Sequence, residues 1–408
     1  MIDWSSPKIR LAFEEIRSYC EMYGRGSRVV RWAYAYRRLR NRVYYGLQQQ
    51  LAGCLRRPHL DKQQLHILLH LRGGLGDCAA LWVGVRALRK QLPQAVFYYY
   101  TDSPYAARLL VMPDAQNIIL PLGRIPYRRA YDMACEWCIS FKTVYINRGR
   151  MEKLAPKFMP VLEKSLARQK ELEFFLCDNY LLDDALGRFL YHHKVSRLEA
   201  VRYLSALDFD VQETGLLPQP ILQKDISKYG LKPPYITVHS GINTTFNCGT
   251  KTPLKCWSQN NWEQFIFLFK KQFPNIQVVQ MGGKNSPHFT GVDVDLVGKT
   301  TGEEIPALLN GACLHIDGES GLVQLTRWLK TKAVVLFGPT APCLFALSKN
   351  INVSADRCGY CMWLHGAQWH TDCPLGHKIC QNMAVHTPQR VLEIVAKELK
   401  HEFPVFTK

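Results

Sequence analysis

The sequence predicts an α/β protein with two parallel-sheet domains in tandem, extended by a basic helical segment at its start and by a cysteine-rich loop near its end. Three observations carry that prediction. Short apolar runs alternate twice with stretches of helical periodicity, the mark of parallel βα units. The strand-like runs end in glycine-bearing turns, at Arg72-Gly73-Gly74-Leu75-Gly76-Asp77 and at Asp317-Gly318-Glu319-Ser320-Gly321. A polar stretch punctuated by Pro218, Pro220, Pro233 and Pro234 separates the two series. At 408 residues the chain has room for two domains, and 47% hydrophobic content is enough to fill two cores.

Residues 1–60 read as a basic helical extension, with twelve Lys/Arg against four Asp/Glu and aromatics set among the arginines (Arg31-Trp32, Tyr36-Arg37, Arg42-Val43-Tyr44). Two readings stay open. It is either an accessory hairpin with a solvated basic face, or an arm that faces a membrane surface or a polyanion. The first domain, 61–217, opens with a strand over Leu65–Leu71. A helix follows with Leu81, Val85, Leu88 and Leu92 on one face until Pro93 stops it, then a strand from Ala95 to Tyr100. Further strands are expected at Asn117–Leu120 and Thr143–Ile146, with Cys135-Glu136-Trp137-Cys138 in a helical core and a helical insertion over 150–210. Three glycines in four residues let the backbone after Leu71 approach a ligand, and Asp77 projects into the same space. Asp77 fits either a helix N-cap or a ligand-facing acid.

The second domain, 218–408, starts with a strand, Tyr235 to Ser240, and a long Thr/Asn/Gly loop. Asn260-x-x-Glu263 reads as a capping box before a helix bearing Trp262, Phe265, Ile266 and Phe269. A strand over Ile276–Met281 ends in Gly282-Gly283-Lys284, and another at Val294–Val297 leads to a helix with Glu303 and Glu304 in its first turn. Cys313–Ile316, the turn 317–321, a helix from Leu322 to Lys330 and a strand from Ala333 to Phe337 form the closing βαβ unit, before a last helix at Gln389–Lys400. Ligands in such folds bind beyond the carboxyl ends of the strands. Ser320-Gly321-Leu322, opening a helix with free backbone N–H groups, suits a phosphate or diphosphate. A ligand cleft between the two domains is expected.

A net charge of +18 favours acidic partners: nucleic acid, anionic lipid, or phosphorylated substrates. With 21% charged residues the chain is not generally disordered. No secretory signal and no transmembrane-length apolar run is visible, so the cytoplasm is the expected compartment, with the inner face of the membrane as an alternative for the basic arm. Most of the fourteen cysteines are read as reduced core residues. Four cluster differently. Cys358 and Cys361 form a C-x-x-C pair, joined by Cys373 and Cys380, a set suited to a closed tetrathiolate of zinc or iron in the 355–385 loop. His365, His370 and His377 are replacement ligands, and no catalytic metal is expected. A non-catalytic nucleic-acid-binding protein, with a basic-aromatic arm and a cysteine finger, is the reading from another class.

The order of motifs from about residue 65 to 400 resembles glycosyltransferase family 9, the bacterial heptosyltransferases. The resemblance rests on Gly74-Leu75-Gly76-Asp77, Lys255-x-Trp257, Gly298-x-Thr300, Glu319-Ser320-Gly321-Leu322 and Phe337-Gly338-Pro339-Thr340. It implies the GT-B arrangement, two facing Rossmann-like domains, with the acceptor on the first and a nucleotide sugar on the second. It also implies inverting transfer from an ADP-activated heptose or related sugar. Asp77 then becomes the general base and Lys255 the cation at the departing diphosphate. Gly76, Thr250, Lys251, Gly283, Lys284, Thr300, Asp317, Glu319, Ser320, Gly321 and Leu322 become donor contacts. The family usually has an Asp before the Thr-Gly-Leu of this turn; here Glu319-Ser320 stands there and Asp317 lies two residues earlier, so either acid is a candidate to face the sugar. Gly283-Lys284 replaces the acidic residue often found at the ribose. Some members that add heptose to autotransporter proteins carry an iron-binding cysteine finger, which points to a protein Ser/Thr acceptor, with the lipopolysaccharide inner core as the alternative. Peripheral membrane contact through the N-terminus and homo-oligomerisation complete the expected partners.

Overall fold

The computed structural model describes residues 43, 46–54, 58, 60–101, 104–111, 116–121, 125–138, 140–172, 186–187, 190–241, 253–362, 373 and 375–403. Most of the basic extension, Thr250, Lys251, His365 and His370 lie outside them. The chain falls into two compact units. One holds 1–72, 84–104 and 113–209; the other holds 73–83, 105–112 and 210–408.

The first unit is built on a five-stranded sheet: β1 (Leu65–Leu71), β2 (Ala95–Thr101), β3 (Asn117–Ile119), β4 (Met133–Trp137) and β5 (Phe141–Ile146), in the order β3-β2-β1-β4-β5. All its pairings are parallel except β4 with β5. β1 and β2 are apolar almost throughout because both faces are covered. The Cys135–Trp137 segment is the main correction to the expected elements. It is not helical but part of β4, pairing directly with β1 from Ile67↔Met133 to Leu71↔Trp137. A short apolar run has no decisive period, and here the open edge of β1 settles it as a strand. Helix α1 (Leu75–Gln91) follows β1 and buries Leu81, Val85 and Leu88. Close packing needs its Gly84, because a methyl there would sit 2.5 Å from the Trp137 ring. Within the 150–210 stretch, α2 (Met159–Glu171) and α3 (Arg197–Ser205) pack together, and α3 opens with a full capping box between Ser196 and Glu199.

The second unit carries a wholly parallel six-stranded sheet: β6 (Tyr235–His239), β7 (Gln277–Met281), β8 (Val294–Asp295), β9 (Leu314–Gly318), β10 (Ala333–Leu336) and β11 (Ile351–Val353). Their order is β11-β10-β9-β6-β7-β8. Helices α4 (Gln259–Gln272) and α6 (Pro388–Glu402) cover it, sharing one core in which Trp262, Phe265, Phe269, Val391, Val395 and Leu399 are all buried. The cap of α4 differs from the expected box. Ser258 accepts from the Asn261 N–H, while Glu263 accepts from Gln259 Nε2 and from the Thr290 N–H. Glu304 precedes its helix (Ile305–Asn310) rather than sitting within the first turn.

The closing βαβ unit departs from the expected boundaries in a way that matters for the site. β9 runs on through Asp317 and Gly318, so the acid lies in a strand, not in the turn. The helix after it, α5 (Gly321–Leu325), has five residues and tightens into a 3₁₀ turn at Thr326–Trp328. The Thr326 hydroxyl donates to the Val323 carbonyl at 2.7 Å and takes up one of the last helical acceptors.

Candidate functional site

Two strand-end turns supply the candidate residues. In the first, Gly73 has φ +103°, and the Asp77 carboxylate accepts from the Gly74 N–H at 3.0 Å. Asp77 is therefore not the N-cap. It stands in the first turn of α1 and reaches back to the residue before the helix, as the acidic half of a capping box does. It is half-buried.

The second turn follows β9. Ser320 is the N-cap of α5: its Oγ accepts from the Val323 N–H at 3.4 Å and donates its own hydrogen to Asp317 Oδ2. Asp317 is 0% exposed. Its Oδ2 also takes His239 Nδ1 at 2.8 Å and His315 Nε2 at 3.3 Å. Burial pushes the Asp317 carboxyl up, but His239 and His315 more than offset that and hold it well below the usual carboxylate range. Of the two candidate acids, Asp317 is thus turned inward and Glu319 is the one with solvent access. Glu319 Oε2 lies 3.6 Å from Lys255 Nζ, with side chains 11% and 14% exposed.

Glycines bring these backbones together. A methyl on Gly318 would stand 3.2 Å from the Lys255 carbonyl, and one on Gly241 (φ +81°) would stand 3.3 Å from Gly318 Cα. Gly76 and Gly321 meet in the same manner. Both lie in the second unit, and a methyl on Gly76 would sit 2.7 Å from Gly321 Cα. Trp257, two residues after Lys255, is buried with its indole N–H on the His386 carbonyl at 2.6 Å, which fixes the segment carrying the lysine. Gly298 (φ +70°) approaches Lys284 Cα and bonds through its N–H to the Gly282 carbonyl, so Gly283, Lys284 and the half-buried Thr300 belong to one strand-end region past β7 and β8. Asp317 Oδ1, Ser240 Oγ and Thr340 Oγ1 are buried at or just beyond strand ends without a hydrogen-bond partner among the described residues. Buried polar atoms are nearly always paired, so Ser240 and Thr340 mark a place where a polar ligand or water meets the sheet end.

His315 is the residue that sequence reading missed. A period-two count would have found it: Thr237 and His239 share one face of β6, His315 and Asp317 share one face of β9, and the register sets Thr237 opposite His315. Thr237 Oγ1 lies 2.9 Å from His315 Nδ1 and completes the cluster.

The cysteine set has the chemistry of a metal site but not its placement. Among the described residues, no group of three or more His, Cys, Asp or Glu is positioned to hold a metal ion. Cys380 is buried in the core under α4 and α6, whereas Cys358 is exposed. Burial pushes the Cys361 thiol up to about 12, and Cys380, Cys373 and Cys358 add to the push. Burial likewise raises Cys358 and Cys380, each with contributions from other cysteines of the set. His377 is exposed beside them.

Residues 197–371 match the sequence model of glycosyltransferase family 9 (heptosyltransferase). That stretch is similar to a glycosyltransferase family 9 domain. Solved structures of the same fold include the ADP-heptose LPS heptosyltransferase II of E. coli, 17% identical over 83% of this chain and 99% of that one, at a TM-score of 0.50. A family 9 transferase from Veillonella parvula is 14% identical over 84% and 99%, also at 0.50. The iron-containing dodecameric heptosyltransferase TibC, from enterotoxigenic E. coli and solved with ADP-D-beta-D-heptose, is 14% identical over 83% and 77%, at 0.53. At these identities the likeness shows a shared α/β fold with parallel sheets. No curated protein matches the sequence significantly.

Proposed function

We propose that this protein is a family 9 glycosyltransferase that moves a heptose, or a closely related sugar, from an ADP-activated donor to a protein Ser/Thr hydroxyl with inversion at the anomeric carbon. The observation that carries this reading is the contact of Gly76 with Gly321, which sets the Asp77 turn directly against the Ser320 turn within one unit. Asp77 takes the proton of the acceptor hydroxyl as its oxygen attacks the anomeric carbon. It is half-buried, and the Gly74 N–H across the turn orders its carboxylate, as a positioned base requires. Lys255 compensates the charge that collects on the leaving diphosphate. To do this it exchanges its Glu319 partner for phosphate oxygens, freeing Glu319 for sugar hydroxyls. The N–H groups of Gly321 and Leu322, with no helical acceptor at that end of α5, complete the diphosphate contacts together with Thr250, Lys251 and Thr300.

The lipopolysaccharide inner core is the competing acceptor, favoured by the likeness to the E. coli LPS enzyme. The cysteine set, together with the iron named in the TibC structures, favours the protein acceptor and an Fe or Zn staple on Cys358, Cys361, Cys373 and Cys380. Such a staple supplies structure only, and no step passes through it. TibC is dodecameric, which supports a homo-oligomer here too.

The deciding experiment is thermal stabilisation of the purified protein by a panel of nucleoside diphosphates, with Lys255→Ala as control. Selective stabilisation by ADP that the variant loses supports an ADP-sugar donor; no response to any nucleotide removes the transferase reading. Co-expression with a secreted passenger protein then separates the acceptors, since a mass increase on passenger Ser/Thr residues is expected for one and an altered lipopolysaccharide core for the other. Elemental analysis of the same preparation, beside Cys361→Ser, tests the staple. One equivalent of Fe or Zn lost in the variant is the expected result.

A further inference from the structure

Asp317 is a buried carboxylate beside a proposed diphosphate site, where an unneutralised negative charge would repel the ligand. The surrounding geometry explains why it can stand there. Oδ2 gathers three donors, from His239, His315 and Ser320, while Oδ1 has none among the described residues. The carboxylate is therefore oriented, with its loaded oxygen towards the Ser320 hydroxyl. A serine hydroxyl has one hydrogen and two lone pairs. With the hydrogen committed to Asp317, a lone pair meets the Val323 N–H, which selects one rotamer of Ser320 and fixes the start of α5. The same acid also touches the turn after β6, because Oδ1 stands 3.5 Å from where a methyl on Gly241 would lie. One side chain thus keys two adjacent strand ends, one leading to Ser320-Gly321 and the other to the loop that returns at Lys255.

We infer that Asp317 is a positioning residue for the donor site. It acts through Ser320 rather than by touching the ligand, and His239 and His315 hold its carboxylate in register. This rests on the transferase reading above. With no solvent exposure, Asp317 has no surface to offer a sugar, so its effect on the donor must pass through the groups that it orients.

The test is a double-variant cycle on ADP affinity, measured by calorimetry on the full chain. Asp317→Asn and Ser320→Ala are each expected to weaken ADP about tenfold, the scale of one hydrogen bond to a charged group. The double variant is expected to lose no more than either single one, because both remove the same link. Ser320→Thr, which keeps the hydroxyl, is expected to restore affinity to within about threefold of wild type. A general loss of structure would not be repaired by a hydroxyl, and circular dichroism of each variant checks the fold. Should Asp317→Asn not fold, His239→Gln with Ser320→Ala gives the same cycle. Losses that multiply, or Asp317→Asn binding ADP as wild type does, overturn the inference while leaving the transferase reading intact. Wild-type protein that binds no nucleoside diphosphate removes both together.

Discussion

The turns that carry Asp77 and Asp317 look alike on paper and behave differently in the fold. Each places an acid and several glycines at the carboxyl end of a strand at the middle of its sheet. Asp77 lies in the first turn of a seventeen-residue helix, half-buried, with its carboxylate across the turn from the Gly74 N–H. Asp317 lies inside β9, fully buried, with two imidazoles and a hydroxyl on one oxygen. The difference teaches that an acid near a ligand site is not thereby a reacting group. Proton transfer needs a carboxylate that its substrate can reach, whereas a fully buried acid loaded with donors is part of the scaffold that aims others.

Substitutions can break that comparison at either end. The largest expected effect is at Asp77. Asp77→Asn should lower kcat for sugar transfer by about 10²–10⁴-fold, with a thermal midpoint close to wild type, as read by a coupled assay for released nucleoside diphosphate. A wild-type rate in this variant would take the general base away from Asp77. At the other turn the main loss should be in stability. Asp317→Ala leaves His239, His315 and Ser320 without their shared acceptor, and should cost about 3–5 kcal/mol in urea unfolding, the scale seen when one partner of a buried ion pair is removed. A change under 1 kcal/mol would mean that the cluster does not hold the sheet ends together.

Acid sharpens the contrast further. The folded Asp317 carboxyl is held below the ordinary aspartate value of about 3.9. The unfolded chain therefore binds the proton first. Asp317 stabilises the fold fully above about pH 4, and this contribution is lost as pH falls further. Urea midpoints measured from pH 5 downward should fall more steeply in wild type than in Asp317→Asn, and parallel curves would contradict the buried-anion description. The smallest effect tests a site of neither kind. Ser258→Ala, which removes the side-chain N-cap of α4, should cost about 1 kcal/mol and leave ADP affinity unchanged. Weakened ADP binding there would show that the site is sensitive to any loosening of the unit, and would blunt the Asp317 argument.

What the sequence determined by itself was the class of fold and the position of its turns. Alternation of apolar runs with helical periods, closed by Gly-Gly-Leu-Gly-Asp and Glu-Ser-Gly-Leu, is a local pattern and survives in the parallel sheets and in the strand ends that carry Lys255, Glu319 and Ser320. The family was legible for a related reason: close backbone approach demands glycine, so Gly76 and Gly321 are written into the chain wherever the fold brings them together. Tertiary structure decided the rest. Whether Met133–Trp137 is helix or strand depends on the vacant edge of β1, which no window of the sequence contains. Whether Asp317 or Glu319 faces outward depends on β9 running two residues further than its apolar run, and on His239 arriving from a strand 78 residues earlier. The cysteine spacing shows the same limit, for it names soft ligands that lie near one another, while burial of Cys380 and exposure of Cys358 decide how they are placed. Local chemistry fixes which groups are available, and long-range packing fixes which of them are charged, aimed and open.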